Sequence, residues 1–205
     1  MKTKLFFVVA GIRDDGLREI LGVRLADSEA SLFWQDLFED LKERGLRGVK
    51  LVVSDGHKGI QKAVTESFIG SSWQMCHVHL IRQVLKKVPK KKQKEVSEKI
   101  KEALVDRQML QDLIRELDNM GYKSAADTLE HFQYDVMNYM QFPQSHWRRI
   151  RTTNMMERTN KEIKRRSRVV GAFPSQESVL RLVVSILIDI NEDWITGNRY
   201  IVMEQ

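Results

Sequence analysis

Two carboxylates stand out by their surroundings. Asp55 follows Leu51-Val52-Val53-Ser54, a short apolar and β-branched run that reads as a strand covered on both faces, and Gly56 and Gly59 come just after it. In open α/β sheets the carboxyl ends of strands are where ligands bind, and glycines let a substrate approach the backbone closely. A carboxylate there suits a hard cation. It also suits the N-cap of the following helix, and the local residues leave both readings open. Glu157 is one of two acids in the 23-residue segment from His146 to Arg168, which holds nine Lys and Arg. On a helix it shares a face with Asn160, Lys161, Lys164 and Arg168, so it is either a metal-binding carboxylate inside a phosphate-binding stripe or the exposed partner of Lys161. Two such acids are what two-metal phosphoryl transfer asks for. Carboxylates hold divalent ions about 3.5–4 Å apart, one activating the attacking oxygen and one stabilising the leaving oxygen. Neighbouring cations, here Arg158, Lys161, Lys164, Arg165 and Arg168, hold the nucleic-acid backbone.

Cys76, His77 and His79 form a dense third group. The Cys76-x-x-His79 spacing offers a thiolate and an imidazole to zinc, but only His57, His131 and His146 remain as further ligands. The other reading has Cys76 packing as a small apolar group while His79 orients its neighbours or touches phosphate. Trp73 and Trp147 either stack on bases or belong to the core.

The charge distribution supports a polyanionic partner. Lys and Arg number 34 against 28 Asp and Glu, a net +6. Yet Arg82–Lys101 and His146–Arg168 each carry +7, which leaves the rest of the chain at −8. With 205 residues, 42% apolar, there is material for a real core, and one cysteine excludes a disulfide scaffold. The longest apolar run, Leu5–Ile12, is too short for a membrane helix, and no signal peptide precedes it, so a soluble cytoplasmic protein is expected.

These residues need a scaffold. Leu5–Ile12 and Arg18–Leu25 flank Asp14-Asp15-Gly16 as a β-hairpin. Asp27 or Ser28 caps a helix carrying Leu32, Phe33, Leu37, Phe38 and Leu41, which stops at Gly45. A strand at Val49–Val53, a helix at about His57–Phe68, a strand at Ser72–Met75 and a helix opening near Val78 follow. The order β-β-α-β-α-β predicts one mixed sheet with helices on its faces. From Lys86 to Met140 strand signals vanish, and Val96, Ile100, Leu104, Leu110, Ile114 and Leu117 mark helices. Met156–Arg168 reads as a helix ending before Gly171 and Pro174, and Gln176–Trp194 as a last apolar helix. Three regions are expected: 1–85 and 146–205 as parts of a catalytic core, and 86–145 as a helical insertion.

The strings LVVSDGHKG (Leu51–Gly59), WQMCHVH (Trp73–His79) and TTNMMERTNKEIKRRSRVVG (Thr152–Gly171) closely resemble the catalytic region of mutator-type bacterial insertion-sequence transposases. The likeness extends over nearly the whole chain, in the family's order. It implies a ribonuclease-H-like α/β fold with a helical insertion and a DDE-type site that cleaves and joins DNA with Mg²⁺ or Mn²⁺. Asp55 would be the second carboxylate of that triad and Glu157 the third, with Cys76 and His79 matching a C-x-x-H motif that supports the fold or the DNA. The resemblance implies a first aspartate on a strand before the hairpin, whereas here Met1 directly precedes the hairpin and Asp14 and Asp15 lie at its tip. The expectation is therefore a C-terminal portion of a transposase that lacks the first core strand, with little or no transposition by this chain alone. A DNA-binding remnant without cleavage is the alternative. DNA is the expected partner, and a homo-oligomer is expected because transposition pairs two DNA ends.

Overall fold

The computed structural model describes residues 5–26, 31–168 and 175–203. In chain order the elements are β1 (Leu5–Ile12), β2 (Arg18–Ala26), α1 (Ser31–Glu43), β3 (Leu51–Ser54), α2 (Lys58–Ser67), β4 (Ser72–Met75), α3 (His77–Leu85), α4 (Gln93–Ala103), α5 (Arg107–Asn119), α6 (Lys123–Phe132), α7 (Gln144–Ile150), α8 (Asn154–Ser167) and α9 (Gln176–Thr196). Short 3-10 turns occupy Lys90–Lys92 and Asn138–Gln141. The chain divides into two compact units, Met1–Arg47 with Asn154–Gln205, and Gly48–Thr153. The expected caps Asp27 and Ser28, and the expected stops Gly171 and Pro174, lie outside the described residues.

The first unit is built on the hairpin. β1 and β2 pair antiparallel with a register shift between Val9 and Ala10. Gly16, at φ +83°, makes the tight turn, where its N–H donates to Arg13 O at 2.9 Å. Asp15 is absorbed by that turn, accepting from the Leu17 N–H and pairing with Arg13. The continuous apolar run of β1 has a simple cause, because both faces of the hairpin are covered. Phe6, Val8, Ile20 and Val23 pack on Ile163 of α8 and on Val183, Ile186 and Leu187 of α9. Phe7, on the opposite face, meets Phe33 and Trp34 of α1 at ring-centroid distances of 4.8 and 5.3 Å.

The second unit is mainly helical around a small parallel pair, β3 with β4, in register from Leu51–Ser72 to Ser54–Met75. Among the described residues, the strands form two separate two-stranded sheets, one antiparallel and one parallel, and not the single mixed sheet that the element order predicts. Joining the pairs would take a strand hydrogen-bonded to both, and none of the described strands is. For the same reason Leu51, Val52 and Val53 are half-buried rather than fully covered, with one strand neighbour instead of two.

The far edge of β4 is closed by side chains and loop backbone. Asp135 O accepts from the Met75 N–H at 2.9 Å. Gln74, fully buried, donates through Nε2 to Val136 O at 2.8 Å and accepts through Oε1 from the Tyr139 N–H at 2.8 Å. Tyr139, also buried, reaches Leu104 O through its hydroxyl. Replacing Gln74 by Leu keeps the volume but strands the Tyr139 N–H in the core. The expected cost is about 2 kcal/mol, read as a lowered urea midpoint. The stretch after α3 is helical, with Val96, Ile100, Leu104, Leu110 and Leu117 buried and Ile114 half-buried. No helix among the described residues is long and apolar enough to cross a membrane.

Candidate functional site

Asp55 leaves the end of β3 with its side chain exposed. The cap of α2 is not Asp55 but His57, whose Nδ1 accepts from the Gly59 N–H at 3.2 Å. Asp55 Oδ1 accepts only a long 3.3 Å bond from the His57 N–H, and among the described residues no cation forms a salt bridge with the carboxylate. The capping role that the local sequence left open is thus taken by another residue, and the carboxylate stays available to a ligand. Gly56 holds the loop down. A Cβ there would sit 2.7 Å from Phe132 Cζ and 3.3 Å from both Gln83 Nε2 and Met75 Sδ. A Gly56→Ala substitution is expected to cost about 1–2 kcal/mol through overpacking, seen as a drop in the thermal midpoint.

Cys76 and His79 sit behind this loop. Cys76 N–H donates to Ser54 O at 2.9 Å, which continues the β3–β4 ladder. Its buried Sγ accepts from both the N–H and the hydroxyl of Thr153, each at 3.3 Å. Thr153 Oγ1 also lies 3.4 Å from His79 Nδ1. Because the threonine proton points to sulfur, a consistent network has His79 Nδ1–H donating to Oγ1. Burial pushes the Cys76 thiol up, but hydrogen bonds from His79 and Thr153 outweigh it, and the net shift is downward. The pair therefore ties the turn after β4 to the residue directly before α8. Among the described residues there is no cluster of three or more His, Cys, Asp or Glu able to hold a metal ion, so Cys76 and His79 lack the further ligands of a zinc site. Thr153 was not marked by the sequence, since a lone threonine carries no spacing signal.

His77 is buried, and its Nε2 lies 2.9 Å from Val136 O. Burial above all, with the positive charge of Arg151, lowers its pKa to about 4, although the bond to Val136 pulls the other way. Both tryptophans pack. The Trp73 indole N–H donates to Ser54 Oγ at 2.8 Å in the interior, and that of Trp147 donates to Phe142 O at 2.7 Å beside the Tyr139 ring.

In the other unit, Glu157 is half-buried in the first turn of α8. Thr159 and Ile163 form the buried side of this helix, while Arg158, Lys161, Lys164, Arg165 and Arg168 are exposed. Arg165 is engaged in a two-pronged pair with Glu162, at 2.8 and 2.7 Å. Arg166 bridges Glu162 and Asp189. Hydrogen bonds from Arg165 and then Arg166 hold the Glu162 carboxyl at about 2.

Comparison with known proteins bears on this arrangement. The family model for transposases of the Mutator family matches residues 1–197. The chain is 36% identical over 204 residues to the transposase for insertion sequence element IS256 in transposon Tn4001 of Staphylococcus aureus, covering 96% of this chain and 52% of that protein. It is 36% identical over 203 residues to the transposase for element ISRM5 of Rhizobium meliloti, covering 96% and 51%. Against the transposase for element IS1081 of Mycobacterium tuberculosis it is 32% identical over 203 residues, covering 96% and 49%. The chain spans about half the length of the curated relatives it matches.

Proposed function

We propose, from the premise that this chain belongs to the Mutator family of transposases, that it supplies Asp55 and Glu157 to metal-dependent DNA cleavage and strand transfer. The observation that carries the reading is Asp55 itself. It sits at the end of the parallel strand pair, exposed, relieved of helix capping by His57 and without a cation salt bridge among the described residues. Such an oxygen donor fits Mg²⁺ or Mn²⁺, since Mg²⁺ sites often use one or two carboxylates together with substrate phosphates. When bound, a divalent ion supplies Lewis-acid stabilisation of the phosphoryl charge.

The rest falls to the chain's own residues. Arg158, Lys161 and Lys164 on the exposed side of α8, with Arg168 just beyond its end, hold the DNA backbone, and Arg165 joins them from its pair with Glu162. Cys76 and His79, through Thr153, hold the turn after β4 to the last residue of the second unit. A ribonuclease-H-like core is the fold proposed for the family domain, with DNA ends and target as partners and a homo-oligomer assembled on them.

A second reading is a DNA-binding remnant that does not cut, favoured by the single candidate carboxylate that each unit offers. Cleavage of an end-labelled DNA duplex by the purified chain with Mg²⁺ or Mn²⁺, lost in Asp55→Asn and in Glu157→Gln, supports the enzyme. Binding without cleavage in every divalent ion tried leaves the remnant.

A further inference from the structure

One open cleft of about 640 Å³ lies wholly within the second unit, with Asp55 and His57 on one wall and α3 on the other. From α3 and its C-cap come His79, Arg82, Gln83 and Lys86, spaced three, four and seven positions from His79 and therefore on one helix face. We infer that this cleft is a phosphodiester-binding subsite, in which Arg82 and Lys86 grip the DNA strand phosphate adjacent to Asp55. The inference rests on the transposase reading and deepens it, naming which part of the substrate this unit holds.

Three observations carry it. The first is charge, because two permanent cations face one carboxylate, so the cleft attracts an anion while keeping an oxygen donor beside it. The second is position within the basic run, since none of the lysines from Lys87 to Lys101 is among the residues that line the cleft. Arg82 and Lys86, both exposed, are the cations of that run that line the cleft with Asp55. The third is rigidity. Gln93 Nε2 donates to Leu85 O and Val88 O at 2.8 and 3.1 Å, which closes the end of α3, and Thr153 anchors His79 at its start. A helix held at both ends keeps its two positive charges in place beside the cleft.

The test is DNA binding by the full chain in EDTA, followed by fluorescence anisotropy with a labelled duplex across a salt titration. Arg82→Gln with Lys86→Gln is expected to weaken binding at least about tenfold and to lower the log–log salt slope by about 2, one unit for each phosphate no longer neutralised. Lys90→Gln with Lys91→Gln removes the same charge from an exposed turn outside the cleft and is expected to change affinity less than about threefold. Arg82→Lys with Lys86→Arg keeps the charge and is expected to retain most of the binding, which separates a phosphate grip from a folding defect.

Equal losses in the two charge-removal pairs overturn the cleft, as does full binding by Arg82→Gln with Lys86→Gln or no DNA binding by the unmodified chain. Competition by inorganic pyrophosphate against an acidic peptide of equal charge checks the ligand class, and preferential displacement by the peptide also overturns it. The cleavage assay reads the transposase proposal separately. Loss of binding in the cleft variant with cleavage indifferent to Asp55 sinks that proposal and keeps the cleft, while unchanged binding with Asp55-dependent cleavage does the reverse.

Discussion

Asp55→Asn is expected to reduce divalent-ion-dependent DNA cleavage about 10³-fold while leaving DNA affinity in EDTA within about twofold. The substitution preserves size and hydrogen-bonding capacity, and the native carboxylate accepts only the long bond from the His57 N–H. Little folding energy therefore depends on its charge. What is lost is an anionic oxygen donor, and metal stabilisation of a phosphoryl transition state amounts to several kcal/mol, at about 1.4 kcal/mol per tenfold in rate. The measurement is a single-turnover cleavage time course in Mg²⁺ and in Mn²⁺, with anisotropy binding on the same preparations. A variant that cleaves within a few-fold of the unmodified chain removes Asp55 from the chemistry. Ser54→Ala is a useful companion. Ser54 Oγ accepts from the Trp73 indole and donates to the Asp55 carbonyl, so its loss disturbs the same loop without touching the carboxylate.

Stability is expected to fall by about 3 kcal/mol as the pH drops from about 6.5 to about 4, because of His77. Its folded pKa is lowered to about 4 from an ordinary 6.5, chiefly by burial. Above pH 6.5 the imidazole is neutral in both states and the full stability is present. Between 6.5 and 4 the unfolded chain takes up a proton that the folded one refuses, so stability declines at about 1.4 kcal/mol per pH unit and levels off below 4. Glu162 acts in a lower window, since its folded pKa of about 2 makes its stabilising contribution fade only as the pH falls from the usual carboxylate range towards 2. Urea midpoints at pH 7.0, 5.5 and 4.5 separate the two. The slope between 7.0 and 4.5 should flatten in His77→Gln, even though that variant is less stable overall. An unmodified chain with constant stability across this interval contradicts a neutral buried His77.

Local patterns made much of this molecule legible. The spans of β1 and β2 follow from an apolar run and an alternating one on either side of Asp14-Asp15-Gly16, and β4 spans the predicted Ser72–Met75. α8 and α9 begin within two residues of their predicted starts, since amphipathic spacing survives whatever the helix packs on. Asp55, Cys76, His79 and Glu157 could be singled out because their types are uncommon for their setting. Other contacts had no local trace. Thr153 lies 77 positions from Cys76 in the chain, and Gln74 and Tyr139 are 65 apart. The face shared by His79, Arg82, Gln83 and Lys86 was present in the spacing, but the charge run around it obscured which cations line the cleft with Asp55.

Composition, periodicity and motif strings by themselves determined a mixed α/β chain with a helical middle stretch, two concentrated basic segments and membership of a transposase family. These depend on neighbours within a few residues or on sums over the chain. Only the tertiary structure decided that the described strands form two separate pairs, that His57 caps α2 in place of Asp55, and that Cys76 and His79 clasp Thr153. Each of these turns on where a backbone donor or a side-chain oxygen finds its partner. In a folded chain that choice is made through space, among groups that local sequence does not order.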